Sequence, residues 1–423
     1  MAQEKIIMSE VEPKSYELFS QNNWSGTIAY GKKCIKGGYD YYNLRMRIGI
    51  SYYNQKKYLR AVTHFKEAVE FSSYDTLALE YLYYSYLFSG RVMEAKIVLA
   101  TFPDDLKARI NAPHNKIIES ISIDGGLAIS NISDALTTKD INGTANRYGE
   151  ATITKNMTYG SVSLNHELGN KNSIYHSYSN IGIDMLKKYS TDTKDTSSSY
   201  KLTEHDYYIT YTHQCKGFVI APAFHFINVG FNKFIANSNS RNSNYSFSKK
   251  DTSFINFSSS IALSKACGIF VYGINAGYAQ LNNYTQLQAG ISATYYPLAT
   301  TNFYGTTFIT YMNQDVENRF ILAQQLGVKI SSKLWLEGGA TYGNLQNYSE
   351  ANAVFVYNTS DKILYKYGVS LTASLTKHLE LSVRYDAFAK ENNYYIFNPN
   401  FKAETKTISY TTQLIVGGFK WRF

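Results

Sequence analysis

No run of about eighteen or more apolar residues occurs in the chain, so no transmembrane helix can be drawn through it. The mean hydropathy of −0.29 agrees. Cysteine is scarce: Cys34, Cys215 and Cys267 are an odd number without CxxC spacing, which argues against a disulfide framework and a thiolate zinc site. Tryptophan is rare beside the other aromatics, 3 residues against 39 Tyr and 23 Phe. The net charge of +9, from 42 Lys+Arg and 33 Asp+Glu, is scattered rather than gathered into runs, so no nucleic-acid partner is expected. The opening Met1-Ala2-Gln3-Glu4-Lys5 has no apolar core of signal-peptide length.

Catalytic motifs are missing as well. Neither G-x-S-x-G nor G-x-x-x-x-G-K-[ST] is present. His166-Glu167 opens like a zinc-protease motif, but Asn170 stands where the second His is required. His205, Asp206 and His213 share one predicted strand, yet no serine is singled out beside them. We expect no catalytic residue, no metal, no cofactor and no enzymatic activity.

What the chain does contain begins with a repeat. Gly49, Tyr52, Tyr58, Ala61 and Phe65 align with Tyr83, Tyr86, Val92, Ala95 and Leu99 at a period of about 34 residues. The small residues Ala61 and Ala95 fall where two helices must cross closely. The apolar spacing predicts helix pairs over Tyr42 to Gln55 with Tyr58 to Phe71, and Thr76 to Ser89 with Val92 to Thr101. Gln21-Asn22-Asn23-Trp24 mirrors Gln55-Lys56-Lys57-Tyr58, which implies a third, degenerate unit starting near Pro13. Asp104-Asp105 opens a short helix that Ala112-Pro113 ends.

Over residues 8 to 110 these features resemble the tetratricopeptide family, although Tyr83 replaces Gly in the last repeat. The resemblance implies peptide or protein binding. Carried over by position, the groove would be lined by Asn43, Met46, Ile50, Tyr53 and Asn54, then Leu77, Glu80, Tyr84, Leu87 and Phe88. Packing against the rest of the protein is the alternative use of the same residues.

From Ile117 onward the helical period vanishes and period-two alternation takes over. Leu379, Leu381, Val383, Tyr385 and Ala387 alternate with Glu380, Ser382, Arg384 and Asp386. Leu287 to Tyr295 and Ile363 to Leu375 show the same two-faced pattern. The predicted strands run to about 10 to 14 residues, nearer a tilted membrane strand than a globular one. Short turns at Gln214 to Gly217, Lys265 to Gly268, Leu298 to Thr301, Ser331 to Lys333 and Thr376 to His378 interleave with longer segments at Ala236 to Lys250, Met312 to Asn318, Gln346 to Asp361 and Lys390 to Glu404. Short turns on one side and longer loops on the other are the rhythm of membrane barrels. Tyrosine suits the rings where lipid meets water.

The final alternation of Ile415, Gly417, Phe419, Trp421 and Phe423 resembles the C-terminal targeting signature of outer-membrane barrels. The expected fold is therefore α plus membrane β: a short tetratricopeptide-like helical array over 1–112, then an antiparallel transmembrane β-barrel over 113–423 with about 14 strands, 12 and 16 being the neighbouring even counts. Ala145 to Leu168 reads either as one long strand or as a hairpin turning at Lys155-Asn156. The expected location is the outer membrane of a Gram-negative bacterium, with the repeats in the periplasm and a signal peptide removed ahead of this sequence. Expected partners are outer-membrane lipids, the barrel-assembly machinery through Phe419, Trp421 and Phe423, and a periplasmic or membrane protein through the repeats.

The arrangement is similar to that of exopolysaccharide export porins and other repeat-plus-barrel outer-membrane proteins. It implies an outer-membrane channel or complex subunit, with export as one use; a noncatalytic anchor with a closed barrel is the alternative, and a barrel enzyme a third reading. Glu337, Lys366, Glu380, Arg384 and Asp386 face the lumen in this scheme. They form either a selectivity ring or an inward salt-bridge network that plugs the barrel.

Overall fold

The computed structural model describes residues 8–113, 116–132, 141, 148–191, 195–238, 245–397 and 402–423. Its first part is a run of seven helices: α1 (Met8–Ser20), α2 (Trp24–Lys36), α3 (Tyr42–Asn54), α4 (Tyr58–Phe71), α5 (Thr76–Phe88), α6 (Val92–Leu99) and α7 (Asp104–Arg109). Two of them, α2 and α5, start where a side chain satisfies an orphan N–H group: Asn23 accepts from Gly26 N–H at 2.9 Å, and Asp75 accepts from Ala78 N–H at 2.7 Å. The turns inside successive helix pairs share one backbone solution. Asn22, Lys56 and Gly90, each 34 residues after the last, take left-handed φ values of 55°, 58° and 74°. Ala61 and Ala95 are buried at the crossings, around a core of Leu44, Ile48, Phe65 and Leu82.

The second part is a closed antiparallel barrel of fourteen strands. In chain order these are β1 (Ile118–Ser130), β2 (Tyr148–Glu167), β3 (Asn172–Thr191), β4 (Asp195–Cys215), β5 (Phe218–Ser238), β6 (Tyr245–Cys267), β7 (Phe270–Leu281), β8 (Tyr284–Tyr295), β9 (Phe303–Gln314), β10 (Glu317–Lys329), β11 (Leu334–Tyr342), β14 (Lys362–Ser374), β15 (Leu379–Phe397) and β16 (Ala403–Arg422). Between β11 and β14 lies a small separate hairpin of β12 (Ser349–Glu350) and β13 (Phe355–Val356). The barrel closes where β16 pairs with β1, with Trp421 opposite Ile121 and Phe419 opposite Ile123. Phe423 N–H adds a bond to Glu119 C=O at 3.0 Å.

Three expectations change. Lys155-Asn156 is no hairpin turn: β2 is one strand, and the two residues form a bulge between the paired Thr154 and Met157. Residues 145–147 of the same expectation lie outside the described residues. Met312 to Asn318 is no longer loop, because β9 and β10 continue to a tight turn in which Asp315 supplies the positive φ of 50°. Most of Ala236 to Lys250 and Lys390 to Glu404 likewise continues the strands. Their polar residues follow from position: strands of 19 to 23 residues such as β5, β6 and β15 outrun the roughly 9 to 11 residues that cross a bilayer, so their far ends need no apolar face.

The helical module sits at the short-turn end. Leu59, second residue of α4, has an N–H with no partner inside its helix, and Ala299 C=O in the β8–β9 turn accepts it at 3.0 Å. Lys96 on α6 pairs with Glu167 at the end of β2. Cys215 and Cys267 end strands at this same rim, and Cys34 is buried among the helices.

Candidate functional site

Strand alternation gives the barrel two unlike faces. Outward positions expose large apolar side chains, for example Ile291 at 58 % and Val383 at 57 %. A soluble sheet would bury that face; a belt of Ile, Leu, Val, Phe and Tyr around a closed barrel fits hydrocarbon. The inward positions mix polar groups, with Glu204, Asp206, His225, Asn256, Ser258 and Gln286 all buried, and apolar ones such as Ile227, Met312 and Ile321.

These inward groups are buried because the 343–361 segment folds back into the lumen. Its entry depends on Gly343, whose φ of +129° suits glycine and whose place would put an added Cβ 2.7 Å from Phe320 O. Leu345 and Tyr348 then pack against Met312, Ile321 and Ile363 of the wall. The tip is a left-handed stretch, Ala351, Asn352 and Ala353, with φ values of 51°, 58° and 65°.

The tip crosses to the far wall and is held there by hydrogen bonds. Asn352 Nδ2 donates to Ala221 O at 2.9 Å, and Ser260 Oγ donates to Asn352 Oδ1 at 2.8 Å. Tyr208 OH donates to Asn352 O at 3.2 Å, and His225 Nδ1 lies 2.7 Å from Ala353 O. The next residue after Ala221 is Pro222, which cannot donate to the strand ladder. Lower in the segment, Gln286 Nε2 donates to Asn347 O at 2.6 Å and Asn358 Nδ2 to Glu204 Oε2 at 3.0 Å. Asp361 accepts from Asn392 Nδ2 at 2.8 Å and from Tyr410 OH.

Beside this plug a cavity of about 260 Å³ remains. Four of the five expected lumen residues line it: Glu337, Lys366, Arg384 and Asp386. All four are engaged. Lys366 Nζ pairs with Glu350 Oε2 of the plug at 2.5 Å, and Tyr357 OH donates to the same oxygen. Arg384 Nε reaches Asp386 Oδ2 at 2.8 Å while its guanidinium stacks 5.1 Å from the Phe355 ring centre. Glu337 accepts from Tyr304 OH. Opposite Asp386, Gly368 leaves room: an added Cβ would stand 2.2 Å from Asp386 Oδ1. The fifth residue, Glu380, is elsewhere, paired with Arg422 at 3.0 Å near the short-turn rim. The cavity charges thus form opposite-sign and hydrogen-bonded pairs, one of which ties wall to plug.

Sequence reasoning missed Glu350, Tyr357 and Asn352, which come from a stretch legible only as a long connection. It also missed His225 and Glu204, whose sole local signal is an inward place in the alternation. His205 and His213 point outward while Asp206 points inward, 3.8 Å from His225 Nε2. Among the described residues no three His, Cys, Asp or Glu side chains gather as a metal site would.

On the helical module, Met46 is buried in the core, so it packs rather than lines a surface. Asn43, Asn54, Leu77, Leu87 and Phe88 are exposed, while Ile50, Tyr53, Glu80 and Tyr84 are half-buried. Tyr53, Tyr84 and Phe88 belong to one group of touching rings, with Phe88 5.8 Å from Tyr84 and 6.2 Å from Tyr53.

No family model and no curated protein matches the chain. Among solved structures it is similar to the P. putida toluene transporter TodX, at 7% identity and a TM-score of 0.45, covering 74% of this chain and 91% of that one. It is also similar to a Pseudomonas aeruginosa FadL homologue, at 7% identity and 0.47, covering 72% and 90%. The translocator domain of the autotransporter NalP from Neisseria meningitidis gives 10% identity and 0.30, covering 80% and 99%. Such scores and identities carry no argument about cargo, and the reading of the site rests on its own residues.

Proposed function

We propose that the chain is a Gram-negative outer-membrane channel held shut by its own 343–361 segment. In this reading the helical module faces the periplasm as a tetratricopeptide-like array that binds a protein partner. A closed sheet with an apolar exterior supports the membrane assignment, since a barrel leaves no unpaired backbone in lipid. The 34-residue recurrence of the left-handed turn at Asn22, Lys56 and Gly90 supports the repeat assignment. Asn43, Asn54, Leu77, Leu87 and Phe88 then form the accessible part of the partner surface. Phe419, Trp421 and Phe423, which expose their rings on the closing strand, serve recognition by the assembly machinery.

The observation that carries the channel reading is what fills the lumen. Wall side chains meeting across a barrel make a permanent core. Here most of the described filling is one contiguous segment between β11 and β14, whose mutual ladder from Leu334–Ala373 to Tyr342–Tyr365 does not include it, while Ile132 and Ile141 add a smaller cluster against β2, β15 and β16. The segment can leave without breaking the barrel.

Planar-bilayer recording tests this. Wild-type protein should be largely silent, and replacing residues 348–356 with a short Gly-Ser linker should give stable conducting steps whose ion selectivity changes on reversing Lys366 or Arg384. A loop-replaced barrel that folds, migrates heat-modifiably on gels and stays silent would leave the noncatalytic anchor as the better reading. Affinity capture that loses its partner when residues 1–112 are removed would then define the role.

A further inference from the structure

The outer face of the barrel is not uniform. Around β7 to β16 and β1 it is dominated by Ile, Leu, Val, Phe and Tyr, but on β2, β3 and β4 it carries His166, His176, Tyr178, Asn180, His205 and Tyr207. Outward direction follows from alternation, because Glu204, Asp206 and Tyr208, the intervening residues of β4, are buried on the lumen side.

These six side chains bond to one another along the surface. His166 Nε2 and His176 Nε2 are 3.1 Å apart, and Tyr207 OH is 3.3 Å from His176 Nδ1. Tyr178 OH and Asn180 Nδ2 lie 2.7 and 3.2 Å from His205 Nδ1. Register sets them at successive levels within the apolar belt: His176 beside Leu164 and Ile209, Tyr178 beside Val162 and Tyr207, Asn180 beside Gly160 and His205.

Hydrocarbon offers such groups no hydrogen bonds, and each group left short of partners there is costly. Polar side chains at membrane depth ordinarily face protein or water. We propose that the β2–β4 face is the contact surface of a homodimer within the membrane. A second copy is the occupant because two copies related by an axis along the membrane normal meet level by level. The imidazole ring, the Tyr hydroxyl and the Asn amide each offer a donor and an acceptor, so this face is complementary to itself. Gly160, on the level of Asn180 and His205, leaves the backbones free to approach. The proposal rests on the membrane-spanning reading and is independent of conduction.

The test uses the full chain in mild detergent and in lipid nanodiscs. Native mass measurement should give twice 48.0 kDa. In a Cys215→Ser, Cys267→Ser background, Asn180→Cys should cross-link with a short thiol reagent, whereas Leu322→Cys on β10, seven strands away on the opposite wall, should not. The combined His176→Leu, Tyr178→Leu and His205→Leu variant suits lipid better and should halve the mass while keeping heat-modifiable migration. A monomeric wild type, a mass made up by glycolipid or another protein, equal cross-linking at both walls, or a leucine variant that stays dimeric would each overturn the proposal. If the leucine variant does not fold, the two cysteine positions still decide. Failure of the membrane reading would show separately, as protein soluble without detergent.

Discussion

The helical module and the barrel use similar side chains in inverted order. In the module Tyr52, Tyr83 and Tyr86 are buried with Leu44, Ile48 and Phe65, and charges lie outside. In the barrel Tyr272, Tyr342 and Tyr367 are exposed, and Glu204, Asp206 and His225 are inside. One chain therefore folds against two solvents. The module is organised by escape from water, and the barrel by pairing its backbone and placing apolar faces toward lipid.

Three changes would break or sharpen that contrast, and the largest effect belongs to the module. Phe65 fills the space beside Gly49, where an added Cβ would stand 2.6 Å from its ring, and it stacks on Tyr81 at 5.1 Å. Phe65→Ala should cost the module about 3 to 5 kcal/mol. Hydrogen exchange of α3 to α5 would report it, while heat-modifiable migration of the barrel should persist; loss of both would mean that the two regions fold as one unit.

Next comes a pH effect inside the same core. Burial first, and then the positive charges of Arg45 and Lys32, push His64 down from 6.5 to about 4. Between those values the unfolded chain binds a proton that the folded module refuses, so stability should fall as pH drops from 6.5 toward 4 and level off below. The total is about 3 kcal/mol. The loss should appear as faster exchange of α3 and α4 amides and vanish in His64→Gln; an unchanged slope in that variant would assign the effect to other groups.

The smallest of the three tests the barrel. Val383 and Arg384 are adjacent and face opposite ways. Val383→Arg should destabilise the barrel in lipid vesicles by about 2 kcal/mol, as charges on the lipid face do below the midplane maximum. A neutral outcome in urea titration would mean that this face does not meet hydrocarbon.

The two regions were also unequally legible in sequence. Helix pairs, turn positions and small crossing residues announced themselves, because their contacts lie within one or two periods of the chain. The fourteen strands were countable for a similar reason: each pairs chiefly with its chain neighbours, and alternation marks both faces. Lys155-Asn156 misled because turn-like residues also suit a bulge. The plug was out of reach. Asn352 meets Ala221 and Ser260 across 131 and 92 residues of chain, and polar residues in a long connection are expected whether it enters the lumen or leaves for water. For the lumen charges, alternation identified Lys366, Arg384 and the latter's partner Asp386 but not Glu350 and Phe355, which arrive on that same segment.

The tip of the plug has one more consequence. Ala351 and Ala353 lack both the freedom of glycine and the local hydrogen bonds that let asparagine tolerate a left-handed backbone, so each carries about 1 to 2 kcal/mol of strain. The far wall imposes that shape through Tyr208, His225 and Ser260. In the proposed channel the closed position is thus the tense one, like a latch under load. On that reading the tip relaxes as it leaves the wall, and its own conformational preference resists return.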